Sequence, residues 1–136
     1  IKDGNIRQAN SYLGYTFFLS GEVVKGDSRG KELGFPTANL KIDEDKIIPK
    51  NGVYLVKSKI DHQDIYGMMN IGYNPTFNNK SKKIETHFFN LNKNLYGKII
   101  KIELLEYIRE EKRFETVDDL IKRLKLDREK CLKLIH

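Results

Sequence analysis

"GVYLVKSKI" at 52–60, followed closely by "DIYGMMNIG" at 64–72, decides the fold class of this chain. Both stretches are short, rich in β-branched or aromatic residues, and bounded by turn-forming residues, the composition of β-strands. The same texture repeats on either side, in "YTFFLSGEVVKG" (15–26), "KIETHFFNL" (83–91) and "GKIIKIELLEYI" (97–108). Strand after strand, with no long helix between them, points to an antiparallel barrel or sandwich.

Two flanking segments read differently. Residues 3–14, "DGNIRQANSYLG", fit a short helix capped by Asp3, with Ile6, Ala9, Asn10 and Leu13 on one face and Gly14 closing it. Near the other end the period changes to that of a helix. Val117, Leu120, Ile121 and Leu124 share a face, and Cys131, Leu134 and Ile135 continue it. Thr116 with Asp119 forms a variant capping box, and Asp127 is expected to re-cap the helix part-way. Its apolar stripe should pack on the barrel. With no internal repeat and no low-complexity linker, residues 17–136 read as one domain behind a helical or linker segment, 1–16.

Of the 136 residues 39% are hydrophobic, enough for a single core, and 32% are charged with mixed sign, which argues against disorder. The lone Cys131 excludes an internal disulfide framework and favours a reducing compartment, so a cytoplasmic location is expected. No apolar run approaches the roughly 18 residues of a membrane span, and the start is not a signal peptide. A membrane partner is therefore not expected. The chain begins at Ile1, as a piece of a longer protein would. Its net charge of +6 fits a solvated lysine-rich surface, or attraction of nucleic acid or a phosphorylated small molecule.

The first chemical constellation is "GEVVKGDSRGKELGFPTANL" (21–40). Gly26, Gly30 and Gly34 recur every fourth residue in a loop that carries Lys25, Arg29 and Lys31. Glycines let backbone amides approach phosphate oxygens, and the cations neutralise charge. It is not a P-loop: three residues rather than four separate the glycines, Glu32 follows Lys31, and Pro36 prevents an early helix. A plain glycine-rich hairpin explains the spacing equally well. Thr37 and Asn39, two apart in an extended segment entered through Pro36, point to one side. Their neutral, hard oxygens suit magnesium that takes its other ligands from phosphates and water. The same residues could simply satisfy backbone groups at a strand end.

"KIETHFFN" (83–90) is the second constellation. Alternation puts Ile84, Thr86 and Phe88 on one face and Glu85, His87 and Phe89 on the other. Glu85 is then either a solvated or ion-paired strand carboxylate or, if it faces a cleft, a general base on a rigid strand. The remaining candidates carry less. His62, His87, His136 and Cys131 lack metal-ligand spacing, and Ser28 lacks a nucleophile-elbow context. "IREEKRFE" (108–115) is either a solvated turn or a place where arginine and an aromatic meet a planar ligand.

Taken together these residues resemble the riboflavin kinase family. The matches run in family order: "GEVVKGDSRGKELGFPTANL", "NGVY", "NIGYNPTF", "KIETHFFN", "LYGKIIKIELLEYIREEKRF", and the helix from "ETVDDLIKRLKLD". They cover nearly everything from about residue 17 onward. "IRQANSYLGYTF" is similar to the segment that joins the modules of bacterial bifunctional FAD synthetases, though this chain has no adenylyltransferase motif. The resemblance implies a mainly β fold: a six-stranded antiparallel Greek-key barrel with a C-terminal helix. It implies ATP-dependent phosphorylation of the riboflavin 5′-hydroxyl, giving FMN and ADP, with magnesium or another divalent cation. By position, Glu85 is the base, and Thr37 and Asn39 meet the cation and the phosphates. Gly26 and the loop through Lys31 form a flap over the nucleotide. Phe88, Asn90 and Tyr96 match positions near the nucleotide; Arg109, Lys112 and Phe114 match positions near the flavin. Two departures stand out: Glu110 occupies a position that is commonly Pro in eukaryotic members, and the flap is short. The partners expected are small molecules rather than nucleic acid, plus an N-terminal adenylyltransferase module in the parent chain.

Without the resemblance the rival reading is an OB-like barrel binding single-stranded nucleic acid, basic and rich in Tyr and Phe. A structural β-domain without chemistry is the other. The glycine loop leading into the PTAN tetrapeptide disfavours both.

Overall fold

The computed structural model describes residues 17–24, 37–42, 48–73, 82–91, 94–111 and 116–135. The predicted helix at 3–14 lies outside the described residues. Six strands precede one helix: β1 (Phe18–Val24), β2 (Ala38–Lys41), β3 (Gly52–Ile60), β4 (Gln63–Tyr73), β5 (Lys82–Phe88), β6 (Ile99–Arg109) and α1 (Val117–Leu134). All strand pairs are antiparallel and the sheet closes in the order β1-β2-β5-β4-β3-β6. β3, β4 and β5 form a meander, and β6 returns to lie beside β3, which is the Greek-key connection. Asp61 and His62, both at positive φ (51° and 67°), make the tight turn between β3 and β4. Two such residues match the right-handed twist of the paired strands.

The core has two layers. Leu19, Val23, Leu40, Tyr54, Val56, Met69, Ile71, Ile84, Ile102 and Leu104 fill the barrel. Outside it, Val53, Leu55, Met68, Phe89, Ile108 and Cys131 form a second cluster, against which Leu124 of the helix packs. β3 contributes to both, which explains why "GVYLV" is continuously apolar instead of alternating. β6 reaches both layers by another device. Its register against β3 shifts twice, between Val53 and Tyr54 and between Leu55 and Val56. These bulges let Leu104 and Tyr107 pack with the barrel interior while Leu105 and Ile108 join the outer cluster. Closure also requires close backbone approach: a Cβ on Gly21 would lie 2.2 Å from the Lys41 carbonyl oxygen of the neighbouring strand.

The helix starts where expected, with the Thr116 hydroxyl accepting from the Asp119 amide at 3.1 Å. The expected re-capping at Asp127 does not occur. α1 runs unbroken to Leu134 and Asp127 is buried within it. The apolar stripe is also shorter than its period suggests, because Val117 and Leu134 at the two ends are exposed.

Candidate active site

Strand register assembles the site. Asn39 of β2 is the Cα partner of Glu85 on β5, and Glu85 is in turn the partner of Asn70 on β4. Ile84, Thr86 and Phe88 are buried, with Ile84 and Phe88 in the barrel core, so Glu85 points outward. Cross-strand partners share a face, so the Asn39 and Asn70 side chains stand on the same outer surface. Thr37, two residues before Asn39, extends that surface towards His87. Glu85, distant in sequence from Thr37 and Asn39, thus becomes their neighbour.

Charge and burial differ along this row. Glu85 Oε1 is 2.7 Å from Lys83 Nζ, with both side chains about a quarter exposed. That pairing holds the carboxylate at the surface without burying it. Asn39 is buried to 8% exposure, whereas Asn70 is exposed. His87 is buried and meets Phe89 edge-on, with ring centroids 5.7 Å apart. The second face of β5 is therefore solvent-facing at Glu85 and covered from His87 onward.

The other candidates divide between the two ends of the barrel. Asn90 follows β5 in a turn, exposed and at φ 58°, a conformation that Asn tolerates better than most residues. Tyr96, 56% exposed, precedes β6, and its amide donates to Asn94 Oδ1 at 2.9 Å. Gly97 donates to the Val23 carbonyl at 2.9 Å, so this turn lies beside the end of β1, where β2 also begins. Asn90, Tyr96 and Thr37 therefore gather at one end. Phe88 is there too, but its ring packs in the barrel core. Gly26 and Lys31, and likewise Lys112 and Phe114, lie outside the described residues.

Arg109 sits at the far end of β6. Its Nε donates to both Asp127 carboxylate oxygens at 2.9 and 3.0 Å, Nη2 donates to Oδ2 at 2.7 Å, and Nη1 to the Glu110 carbonyl. Arg123 adds charge, with Nε 3.2 Å from Asp127 Oδ1 but without hydrogen-bond geometry. The Asp127 side chain is 1% exposed and that of Arg109 12%. This pair ties α1 to the end of β6. Beside it, burial pushes the Cys131 thiol up to about 12, and the Asp127 carboxylate adds to the effect. That cysteine is a packing residue and not a nucleophile.

Sequence reasoning passes over Lys83 and Asn70 and assigns Asp127 a different role. Asn70 lies inside the quoted "NIGYNPTF", but only the β4–β5 register shows what it faces. Asp127 reads as a cap because nothing in its neighbourhood announces Arg109, 18 residues earlier.

For a divalent cation, the fit is one of donor chemistry. Thr37 and Asn39 offer neutral oxygens on the face that bears Glu85, and among the described residues no three His, Cys, Asp or Glu side chains converge as a cage. Such a pair suits a cation that takes most of its ligands from phosphates and water, as magnesium does.

Comparison with known proteins identifies the family. The family model described as "Flavokinase: Riboflavin kinase" matches residues 13–135. The chain belongs to the riboflavin kinase family. The bifunctional riboflavin kinase/FMN adenylyltransferase of Bacillus subtilis is 37% identical over 98% of this chain, which spans 43% of that relative's length. A Streptococcus pneumoniae protein named as a macrolide-efflux protein superposes with a TM-score of 0.89 and 36% identity, covering 95% of this chain and 42% of that one. What its name says of efflux stays with that protein. Riboflavin kinase from Trypanosoma brucei, 24% identical with a TM-score of 0.61 over 87% of this chain and 78% of that one, shares the fold. Among the described residues no helix is long and apolar enough to cross a membrane.

Proposed function

We propose that this chain transfers the γ-phosphoryl group of ATP to the 5′-hydroxyl of riboflavin, giving FMN and ADP. Its parent protein would also carry an FMN adenylyltransferase module, joined through residues 1–16. The observation that carries this reading is the pairing of Asn39 with Glu85, which sets a carboxylate beside two neutral oxygen donors on one rigid surface. Phosphoryl transfer depends mainly on positioning and charge neutralisation, so this is sufficient equipment.

In this mechanism Glu85 accepts the proton of the ribityl hydroxyl as the new O–P bond forms. The bond from the γ-phosphorus to the bridging oxygen breaks, and its electron pair leaves with ADP. A primary alcohol is a weak acid, so the proton moves late, and a carboxylate needs only to be correctly placed. Thr37 and Asn39 would hold magnesium, which when bound supplies neutralisation of the phosphate charge. Asn90 and Tyr96, at the end where β1 stops, would meet the nucleotide. The carboxylate lies between that end and Arg109.

Single-stranded nucleic acid binding is less well supported. Strand-stacking surfaces need several exposed aromatics in a groove, and Tyr96 is the one largely exposed aromatic among the described residues. The test is incubation with riboflavin, ATP and magnesium, followed by chromatography for FMN. FMN appearing in proportion to protein supports the proposal. No FMN, with salt-sensitive oligonucleotide binding instead, overturns it.

A further inference from the structure

Asn70 occupies the middle of β4, a position where asparagine is disfavoured because it neither fills a pleated surface nor resists competing backbone contacts. Its neighbours Met69 and Ile71 are fully buried in the barrel, so the Asn70 side chain is directed outward, and it is exposed. Among the described residues its carboxamide makes no side-chain hydrogen bond. Among the described residues, then, nothing uses the one property that distinguishes it from a better strand former.

Its position does suggest a use. Continuing the site row from Glu85, the register runs through Asn70 to Val53 and then to Arg109. Glu85 and Arg109 are three strand spacings apart, roughly 14 Å at the usual inter-strand distance. If the 5′-hydroxyl meets Glu85 and the flavin ring lies towards Arg109, the polyol chain between them passes the strand that carries Asn70. Polyol hydroxyls both donate and accept, and a carboxamide offers two donors and an acceptor. We propose that the Asn70 carboxamide binds the ribityl hydroxyls of riboflavin and so sets the 5′-hydroxyl against Glu85. This rests on the kinase reading above and adds a specificity-determining residue to it.

The test compares the wild-type chain with Asn70→Ala and Asn70→Ser. Steady-state FMN formation gives KM for riboflavin and for ATP. Fluorescence titration gives affinity for riboflavin and for lumiflavin, the same ring system with a methyl group in place of the polyol. Loss of one or two neutral hydrogen bonds predicts a three- to tenfold rise, or about that, in the riboflavin KM of Asn70→Ala. The ATP KM, lumiflavin affinity and thermal midpoint should stay at wild-type values, and Asn70→Ser should fall between wild type and Asn70→Ala. An unchanged riboflavin KM, or equal losses for riboflavin and lumiflavin, overturns the assignment. Failure of the wild-type chain to form FMN is a different result, and it removes the kinase reading itself.

Discussion

Replacing Asp127 by alanine should loosen the helix from the barrel. The carboxylate is 1% exposed and receives three hydrogen bonds from Arg109, whose own side chain is 12% exposed. Removing one partner of such a pair leaves the other charge buried and uncompensated, at a cost of about 3–5 kcal/mol. That is a large share of the roughly 5–15 kcal/mol that holds an ordinary domain together. For a chain of this size it corresponds to a fall in Tm of roughly 10–20 °C. The assay is urea unfolding of wild type, Asp127→Ala, Arg109→Met and the double variant, followed by circular dichroism. The double variant should recover much of the loss, because two apolar side chains replace the buried pair and neither of its charges is left behind. A loss below about 1 kcal/mol for Asp127→Ala, or strict additivity of the single changes, would refute this reasoning.

Two further outcomes follow from the site and its surroundings. Thr37→Ala should weaken binding of magnesium-ADP by about tenfold or more, as expected for a lost contact to a charged group, while leaving metal-free ADP unaffected; calorimetric titration reads both, and unchanged magnesium-ADP affinity counts against the cation assignment. Cys131 gives a pH dependence of definite sign. The folded thiol titrates near 12 against an ordinary 9.0, so its contribution is intact below pH 9 and is lost as pH rises above it. The stability difference between wild type and Cys131→Ala should therefore shrink by about 1.4 kcal/mol per pH unit above 9; a difference that stays constant from pH 8 to 10 would contradict it.

How much of this was legible beforehand depended on how local each signal is. "GVYLVKSKI" could be read as a strand because its composition and bounding turns are contained within it, and β3 begins and ends at those residues. The Thr116 cap was legible for the same reason. Asp127 was misread because its partner Arg109 comes from another element, and a buried charge inside a helix resembles a cap until that partner is known. The alternation of "KIETHFFN" correctly separated two faces. It could not show that Phe89 joins the cluster against which α1 packs while Glu85 stays accessible. The Asn39–Glu85–Asn70 row depends on inter-strand register, a property of three segments at once, so the sequence named Asn39 and Glu85 without revealing that they meet and did not single out Asn70. Family resemblance implies roles for Glu85, Thr37 and Asn39, and the strand register sets Asn39 beside Glu85.

The central claim is that Glu85 is the base of a kinase reaction, and its most direct test is single-turnover FMN formation by Glu85→Gln. Glutamine keeps the shape of the side chain and one acceptor oxygen but cannot accept the proton. Chemistry should slow by about 100-fold or more while affinities for ATP and riboflavin remain near wild type. Turnover close to wild type in that variant would contradict the account.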